Sequence, residues 1–332
     1  MNFQQLGKIE QWDKYVDMAF HNGAERAMQV RDEVRGQDRQ KIQKSKHIEI
    51  QRIISVGKSF INNMEAIGRG FPSIDSLPPF YQELVRCTLE YDQLKVSLGA
   101  VNWAKKQHQT LLDKYTNELK RAASIERLNI LRRQYYGRAN SVMKQIKDNL
   151  AYLEESRKIM KGYPALKTSM DTVVISGMPN VGKSTLLAAL TGSKPTIAPY
   201  PFTTTNINLG SDKEKNIQYV DTPGLLDRPL AKRNPIERQA ILALKHLAKL
   251  IIFVIDPTES CGYSIPEQRN LLVEIKKAFE IPVIVVSNKS DTGKEFPNSI
   301  PISAKEKKGI PELKKQINDA LSHSNKQEQR QQ

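Results

Sequence analysis

The sequence predicts two folds in series. An all-α helical bundle is expected over residues 1–165, and an α/β domain over 166–321, with a mostly parallel sheet and helices on both faces. Three observations predict this. Before position 165 apolar residues recur at three and four, the helical period. After Gly162-Tyr163-Pro164 short apolar runs alternate with helical stretches, as βαβ units require. At the head of the second part stands Gly177-Met178-Pro179-Asn180-Val181-Gly182-Lys183-Ser184, between the apolar run Val173-Val174-Ile175 and a leucine-rich segment. Strand, G-x-x-x-x-G-K-S and helix in that order form a phosphate-binding loop, or P-loop.

Taken in order, the first part reads as four or five helices with short connections. Ile50, Ile53, Ile54, Phe60, Ile61, Met64 and Ile67 form one stripe on a long helix between Gln37 and Ile67. Gly68, Gly70, Pro72, Pro78 and Pro79 end it, and a shorter helix is expected to start near Pro79. Periodicity resumes from Tyr91 to Leu119, pauses near Ala122–Ser124 and continues to about Met160. In the second part the expected strands are Thr172–Ser176, Ile207–Leu209, Ile217–Asp221, Leu250–Asp256, Pro282–Ser287 and Ile300–Ile302. Helices are expected near Ser184–Leu190, Ile236–Leu247, Ile265–Phe279 and Ile310–Leu321. The polar tail 322–332, SHSNKQEQRQQ, is expected to be disordered.

Composition narrows the class. The chain has 51 Lys and Arg against 36 Asp and Glu, a net charge of +15. Residues 101–170 alone hold 15 against 6, a concentration that suggests a polyanion partner. Lys120, Arg121, Arg127, Arg132, Arg133, Arg138, Lys144 and Lys147 interleave there with Tyr135 and Tyr136. Cations of that kind neutralise phosphates, and tyrosine either stacks on unpaired bases or packs inward. Large apolar residues are not gathered opposite these charges, so RNA is favoured over a membrane surface. Cys87 and Cys261 are too few for a disulfide framework. The longest apolar run, Leu250 to Ile255, is far shorter than a membrane span, and the charged N-terminus lacks a signal-peptide core. A monomer in the cytoplasm is expected. The five histidines show no ligand spacing, so no metal beyond Mg²⁺ is implied.

The chemistry lies in five motifs. In the P-loop, Gly177, Pro179, Asn180, Val181, Gly182, Lys183, Ser184 and Thr185 are the expected nucleotide-binding residues, with successive backbone N–H groups of the loop (Pro179 has none) facing the phosphates. Lys183 can reach the β- and γ-phosphates, and the Ser184 hydroxyl can complete a Mg²⁺ shell. Within Tyr200-Pro-Phe-Thr-Thr-Thr205 a threonine can ligate Mg²⁺ and sense the γ-phosphate. Thr204 is assigned that role, with Thr203 the alternative. In Asp221-Thr222-Pro223-Gly224 the aspartate can hold Mg²⁺ through water, and the Gly224 N–H can contact the γ-phosphate. Lys183, Thr204 and Gly224 are therefore the expected catalytic residues, and Ser184, Thr204 and Asp221 the expected metal residues. In Asn288-Lys289-Ser290-Asp291 the Asp291 carboxylate can accept from guanine N1–H and the exocyclic amine, a donor pair adenine lacks. Asn288 would tie the base to the glycine loop, and the Lys289 stem would cover the ring. In Ser303-Ala304-Lys305 the Ala304 N–H can reach guanine O6. GTP or GDP is thus the expected ligand, and a P-loop GTPase fold the expected domain.

At these motifs the sequence resembles a family. The five together are similar to the translation-factor-related GTPases, and Tyr200-Pro-Phe-Thr-Thr looks like their Obg branch. Gly224-Leu-Leu-Asp-Arg-Pro-Leu230, Arg233-Asn-Pro-Ile-Glu-Arg-Gln239, Ala243-Leu-Lys-His-Leu247 and Cys261-Gly-Tyr-Ser264 resemble the nucleolar GTP-binding proteins. The resemblance implies a helical N-terminal domain before the G domain, and a role in assembling the large ribosomal subunit on ribosomal RNA and its assembly intermediates. Met178 stands where that family commonly has an aromatic residue. The chain stops soon after its G domain, which looks like the short archaeal form, so a nucleolar address is not carried over from the resemblance.

Leu225 occupies the position after Gly224 where many GTPases place a water-orienting glutamine, and an aliphatic side chain cannot orient water. Slow intrinsic hydrolysis is therefore expected, helped by a partner group or a bound cation. Asn180 stands where related GTPases bind K⁺, which makes K⁺ stimulation an expectation. Asp227–Gln239 is expected to order on γ-phosphate and loosen afterwards. Two other functions fit parts of the sequence: an RNA-binding scaffold with a near-inactive G domain, and a GTPase in tRNA modification. Cys261 is expected to be a small buried residue rather than a reactive thiol.

Overall fold

The computed structural model describes residues 3–36, 40–192, 195–198, 200, 206–227, 233 and 235–331. The chain forms two compact units, one of residues 4–73 and 89–161, the other of residues 1–3, 74–88 and 162–332.

The first unit is helical: α1 (Trp12–Glu33), α2 (Lys41–Gly70), α4 (Tyr91–Arg121), α5 (Ile125–Gln145) and α6 (Lys147–Lys161). The apolar stripe of α2 is its buried face, with Ile53, Val56, Phe60, Met64 and Ile67 all inside. A Cβ on Gly23 of α1 would lie 2.4 Å from a Val56 methyl, so glycine sets how closely α1 approaches α2. Ser124 starts α5 by accepting the Arg127 N–H at 3.2 Å. The single helix expected as far as Met160 is broken at Ile146, a buried residue whose backbone leaves the helical region.

Two features of α5 correct the expectation of a mixed basic and aromatic face. Tyr135 is fully buried, and Tyr136 stacks on Phe20 at 4.2 Å with planes 7° apart. Tyr135 lies on the buried stripe Leu128, Leu131, Tyr135, Ala139 and Val142, and Tyr136 beside it is held half-buried by its stack on Phe20. Arg132 pairs with Glu49 of α2 at 2.9 Å. Lys120, Arg121, Arg127, Arg133, Arg138, Lys144 and Lys147 remain exposed.

The second unit includes α3 (Pro79–Thr88), which the sequence placed with the bundle. Phe80, Tyr81, Leu84 and Val85 are wholly buried. The Tyr81 hydroxyl donates to the Pro164 carbonyl at 2.8 Å and accepts the Leu166 N–H at 3.0 Å. Burial pushes this phenol up to about 12. The rest of the unit comprises β1 (Asp171–Ser176), α7 (Lys183–Thr191), β2 (Thr196–Ala198), β3 (Ile207–Asp212), β4 (Ile217–Asp221), α8 (Pro235–Ala243), β5 (Ala248–Ile255), α9 (Ile265–Phe279), β6 (Val283–Ser287), β7 (Ile300–Pro301) and α10 (Ile310–Gln331). Helix α3 packs on α8 and on the short turn that follows it, Leu244–His246.

The sheet has the order β2-β3-β4-β1-β5-β6-β7. β4, β1, β5, β6 and β7 run parallel, while β2–β3 and β3–β4 are antiparallel. β2 was not expected from the sequence, since three residues after Pro195 are too few to show a period. The expected helix 236–247 ends at Ala243 and tightens to a 3₁₀ turn. Residues 322–331, expected to be disordered, continue α10; the segment holds no Gly or Pro and is rich in good helix formers. Among the described residues no helix is long and apolar enough to cross a membrane.

Buried His108 makes the helical unit sensitive to acid. It is fully buried, stacks on Phe60 at 4.3 Å, and desolvation lowers its pKa to about 4. The unfolded chain binds that proton near pH 6.5, so stability is full above this value and declines as pH falls toward 4. Between pH 7 and 5 this group alone is expected to cost about 2 kcal/mol. Urea unfolding at the two pH values, compared between wild type and His108→Leu, checks it: the variant should lack that part of the loss.

Candidate functional site

The expected nucleotide motifs converge at the carboxyl ends of the parallel strands. β1 is buried along nearly its whole length and delivers the chain into the glycine loop. Gly177 has φ +143°, and a Cβ there would sit 2.5 Å from the Val254 carbonyl oxygen of β5. Gly182 has φ +99°, and its Cβ would meet the Asn288 amide nitrogen at 2.2 Å. No other residue fits either place. Asn180 between them takes a left-handed conformation, and Val181 is buried beneath the loop. Lys183 begins α7, with Ser184 and Thr185 exposed on its first turn. The Lys183 ammonium turns back to the carbonyls of Gly177 and Met178 at 2.9 and 2.8 Å. Burial lowers its pKa, with Asp221 acting the other way.

The Ser184 hydroxyl donates to Asp221 Oδ2 at 2.6 Å, and Asn208 of β3 donates to the same oxygen at 2.9 Å. Asp221 Oδ1 is buried with no hydrogen-bond partner among the described residues. An orphaned carboxylate oxygen beside a serine hydroxyl is a donor set suited to a hard cation, so Ser184 and Asp221 fit Mg²⁺. Thr203 and Thr204 lie outside the described residues, as does most of Tyr200-Pro-Phe-Thr-Thr-Thr205.

After Asp221 the chain turns through Gly224, whose N–H donates to Asp227 Oδ2 at 2.8 Å. Arg233 donates to the carbonyls of Gly224 and Leu225 and approaches Asp227 Oδ1 at 3.3 Å. Leu225 is fully buried, away from any water it could orient.

Asn288 bridges the glycine loop to the turn at Ala304. Its amide donates to the Val181 carbonyl at 2.8 Å, and its side-chain oxygen accepts the Ala304 N–H at 3.0 Å. The tie to the glycine loop is the one expected, but the Ala304 N–H, assigned from sequence to guanine O6, is here used within the protein. Lys289, in a left-handed conformation, pairs with buried Asp256 at 2.6 Å and reaches Ser260 at 2.7 Å. Burial works against ionisation of Asp256, yet Lys289 and the Thr258 and Ser260 groups hold its carboxyl below the ordinary range. The loop 256–261 thus positions Lys289. Ser303 is buried, while Asp291 and Lys305 are exposed. Cys261 is buried, and burial pushes its thiol up.

Sequence reasoning missed Asn208, Asp256 and the pairing of Asp227 with Arg233. Asp256 left a trace as the charged residue closing the apolar strand, and Asp227 and Arg233 lay in the segment 227–239 singled out above, though not as a pair.

Residues 3–166 match the NOG1 N-terminal helical domain, and residues 235–291 match nucleolar GTP-binding protein 1 (NOG1). An uncharacterized protein of Methanocaldococcus jannaschii is 40% identical over 289 residues, covering 87% of this chain and 81% of that protein. Nucleolar GTP-binding protein 1 of Encephalitozoon cuniculi is 35% identical over 244 residues, 73% of this chain and 46% of that protein. Its Saccharomyces cerevisiae counterpart is 35% identical over 254 residues, 76% and 39% respectively. The chain belongs to the nucleolar GTP-binding protein family. It spans less than half the length of those two named members. Among solved structures, a nucleolar GTP-binding protein 1 from Plasmodium falciparum is 28% identical over 50% of this chain and 93% of that one, with a TM-score of 0.44. The G domain of the T. maritima FeoB iron transporter is 29% identical over 46% and 99%, with a TM-score of 0.38.

In this family member Asn288→Ala would strand the Val181 carbonyl and the Ala304 N–H together. A thermal unfolding comparison is expected to show the α/β unit destabilised by about 2 kcal/mol, near 1 kcal/mol for each lost bond. Unchanged unfolding would mean the bridge carries no weight.

Proposed function

We propose that the chain is a guanine-nucleotide switch that binds and slowly hydrolyses GTP, and that acts in assembly of the large ribosomal subunit by binding ribosomal RNA. The observation that carries this reading is the Asn288 bridge, which joins the glycine loop to the turn at Ala304 and so would set a phosphate cradle beside a base-reading turn. Family membership supports GTP as the nucleotide. Lys183 would neutralise phosphate charge, Asp291 would read the guanine edge, and Ser184 and Asp221 would hold Mg²⁺. When bound, that ion supplies charge stabilisation to the phosphates. Thr204 and the Gly224 N–H would sense the γ-phosphate. Buried Leu225 supports a slow intrinsic rate, and Asn180, exposed at the loop, is the residue through which K⁺ would stimulate it.

The RNA-binding part of the reading rests on the exposed cations of α5 and its neighbours, without the tyrosines. It is a phosphate-tracking surface, so the bound RNA would be recognised by shape and backbone more than by base stacking. Ribosomal assembly intermediates would be its partners, with the chain acting as a monomer in the cytoplasm.

Two measurements test this. Single-turnover GTP hydrolysis in K⁺ should exceed that in Na⁺ and vanish in Lys183→Ala; equal rates in the two salts would remove K⁺ from the account. Neutralising Arg127, Arg133 and Arg138 to Gln should weaken binding to ribosomal RNA and lower the salt slope of log K by up to about 3. An unchanged slope would move the RNA site elsewhere.

A further inference from the structure

We propose that Asp227 is an internal stand-in for the γ-phosphate, competing for the Gly224 N–H and thereby setting how strongly the site prefers GDP over GTP. This rests on the nucleotide reading above and goes beyond it. The Gly224 N–H is the group that the Asp-Thr-Pro-Gly turn offers to a γ-phosphate oxygen. In the structure it donates instead to Asp227 Oδ2 at 2.8 Å. A carboxylate resembles a phosphoryl edge in the two properties that matter here, negative charge and acceptor oxygens in a plane. One N–H cannot serve both.

Three further observations make the contact more than a turn cap. The other carboxylate oxygen, Oδ1, faces Arg233 at 3.3 Å. The Arg233 side chain is 2% exposed and that of Asp227 12%, so the pair is largely withdrawn from water. The same guanidinium nitrogen donates to the Gly224 and Leu225 carbonyls, at 2.7 Å for Leu225. Arg233 therefore clasps both the turn that carries the N–H and the carboxylate that occupies it. Gly224, Leu225, Asp227 and Arg233 form the clasp, and α8 begins close by at Pro235. A γ-phosphate would have to displace Asp227, and the displaced carboxylate would no longer be held toward Arg233. Only the third phosphate competes for this position, so a diphosphate leaves the clasp intact. Asp227 thus acts as a specificity-determining residue for the number of phosphates, separate from Asp291, which chooses the base.

The test is equilibrium binding of GDP and of a non-hydrolysable GTP analogue, in Mg²⁺, to the full chain and to its Asp227→Ala and Asp227→Asn variants. Removing the competitor should tighten the GTP analogue by about tenfold in Asp227→Ala and leave GDP within about twofold. Asp227→Asn keeps the shape and an acceptor oxygen but not the charge, and should fall between. Arg233→Met, which opens the clasp from the other side, should shift the ratio in the same direction. The inference is overturned if both nucleotides move together, if the ratio is unchanged, or if the variants bind the GTP analogue more weakly than wild type. Thermal unfolding of each variant separates these outcomes from simple loss of fold. If wild type binds neither nucleotide, the nucleotide reading itself fails, a result distinct from an unchanged ratio.

Discussion

The site depends first on one side chain, the Asn288 amide, placed where three strand ends meet. Its backbone N–H bonds to the Ile255 carbonyl at 2.9 Å, its amide nitrogen to Val181 and its oxygen to Ala304. β5, the glycine loop and the turn after β7 are thereby held by a residue that is itself 4% exposed. A buried amide with both ends paired tolerates little displacement, because any shift strands a polar group away from water. Gly182 is glycine partly for this reason, since the Asn288 amide occupies the space where its Cβ would be. Backbone geometry at the glycine loop and hydrogen bonding at the Ala304 turn are in this sense one constraint.

Around that rigid frame the ionic groups are arranged in closed sets. Lys183 is satisfied by loop carbonyls, Lys289 by Asp256, Arg233 by the turn at Gly224. Lys183, Lys289 and Arg233 thus each have an internal partner, and the same is true of Asp227. Asp221 differs: one oxygen takes bonds from Ser184 and Asn208, while the other is buried without a hydrogen-bond partner among the described residues. A buried anion with spare acceptor capacity is the arrangement a divalent cation completes. Strand ends thus fix the geometry of the site, while Gly224, Asp227 and Arg233 form a separate paired set.

Most of this architecture was legible in the sequence because the α/β unit is built from short-range rules. β1, β4, β6 and α9 fall where apolar runs and periodicity place them, and the glycine loop, Asp221–Gly224 and Asn288–Asp291 mark the ends of the three strands. What was not legible is long-range. Helix α3 lies among bundle residues in sequence, yet Phe80, Tyr81, Leu84 and Val85 are buried in the α/β unit; periodicity shows that a helix has an apolar face but not which core receives it. Tyr135 and Tyr136 pose the same problem, since a tyrosine within a basic helix reads alike whether it faces solvent or packs on Phe20. The Ala304 N–H and Gly224 N–H were assigned to nucleotide atoms by motif, while the partners they use within the chain, Asn288 and Asp227, depend on side-chain directions that no spacing encodes. Thr204 was named from sequence and lies outside the described residues.

The central claim is that the edge organised by Asn288 reads a guanine base together with its phosphates. Calorimetric titration of the full chain with GDP, and in parallel with ADP, in the presence of Mg²⁺ tests it most directly. The account predicts saturable binding of GDP at one site per chain and binding of ADP weaker by at least about a hundredfold, because adenine leaves the Asp291 carboxylate unmatched. Equal affinity for the two nucleotides, or no binding of either, would contradict it.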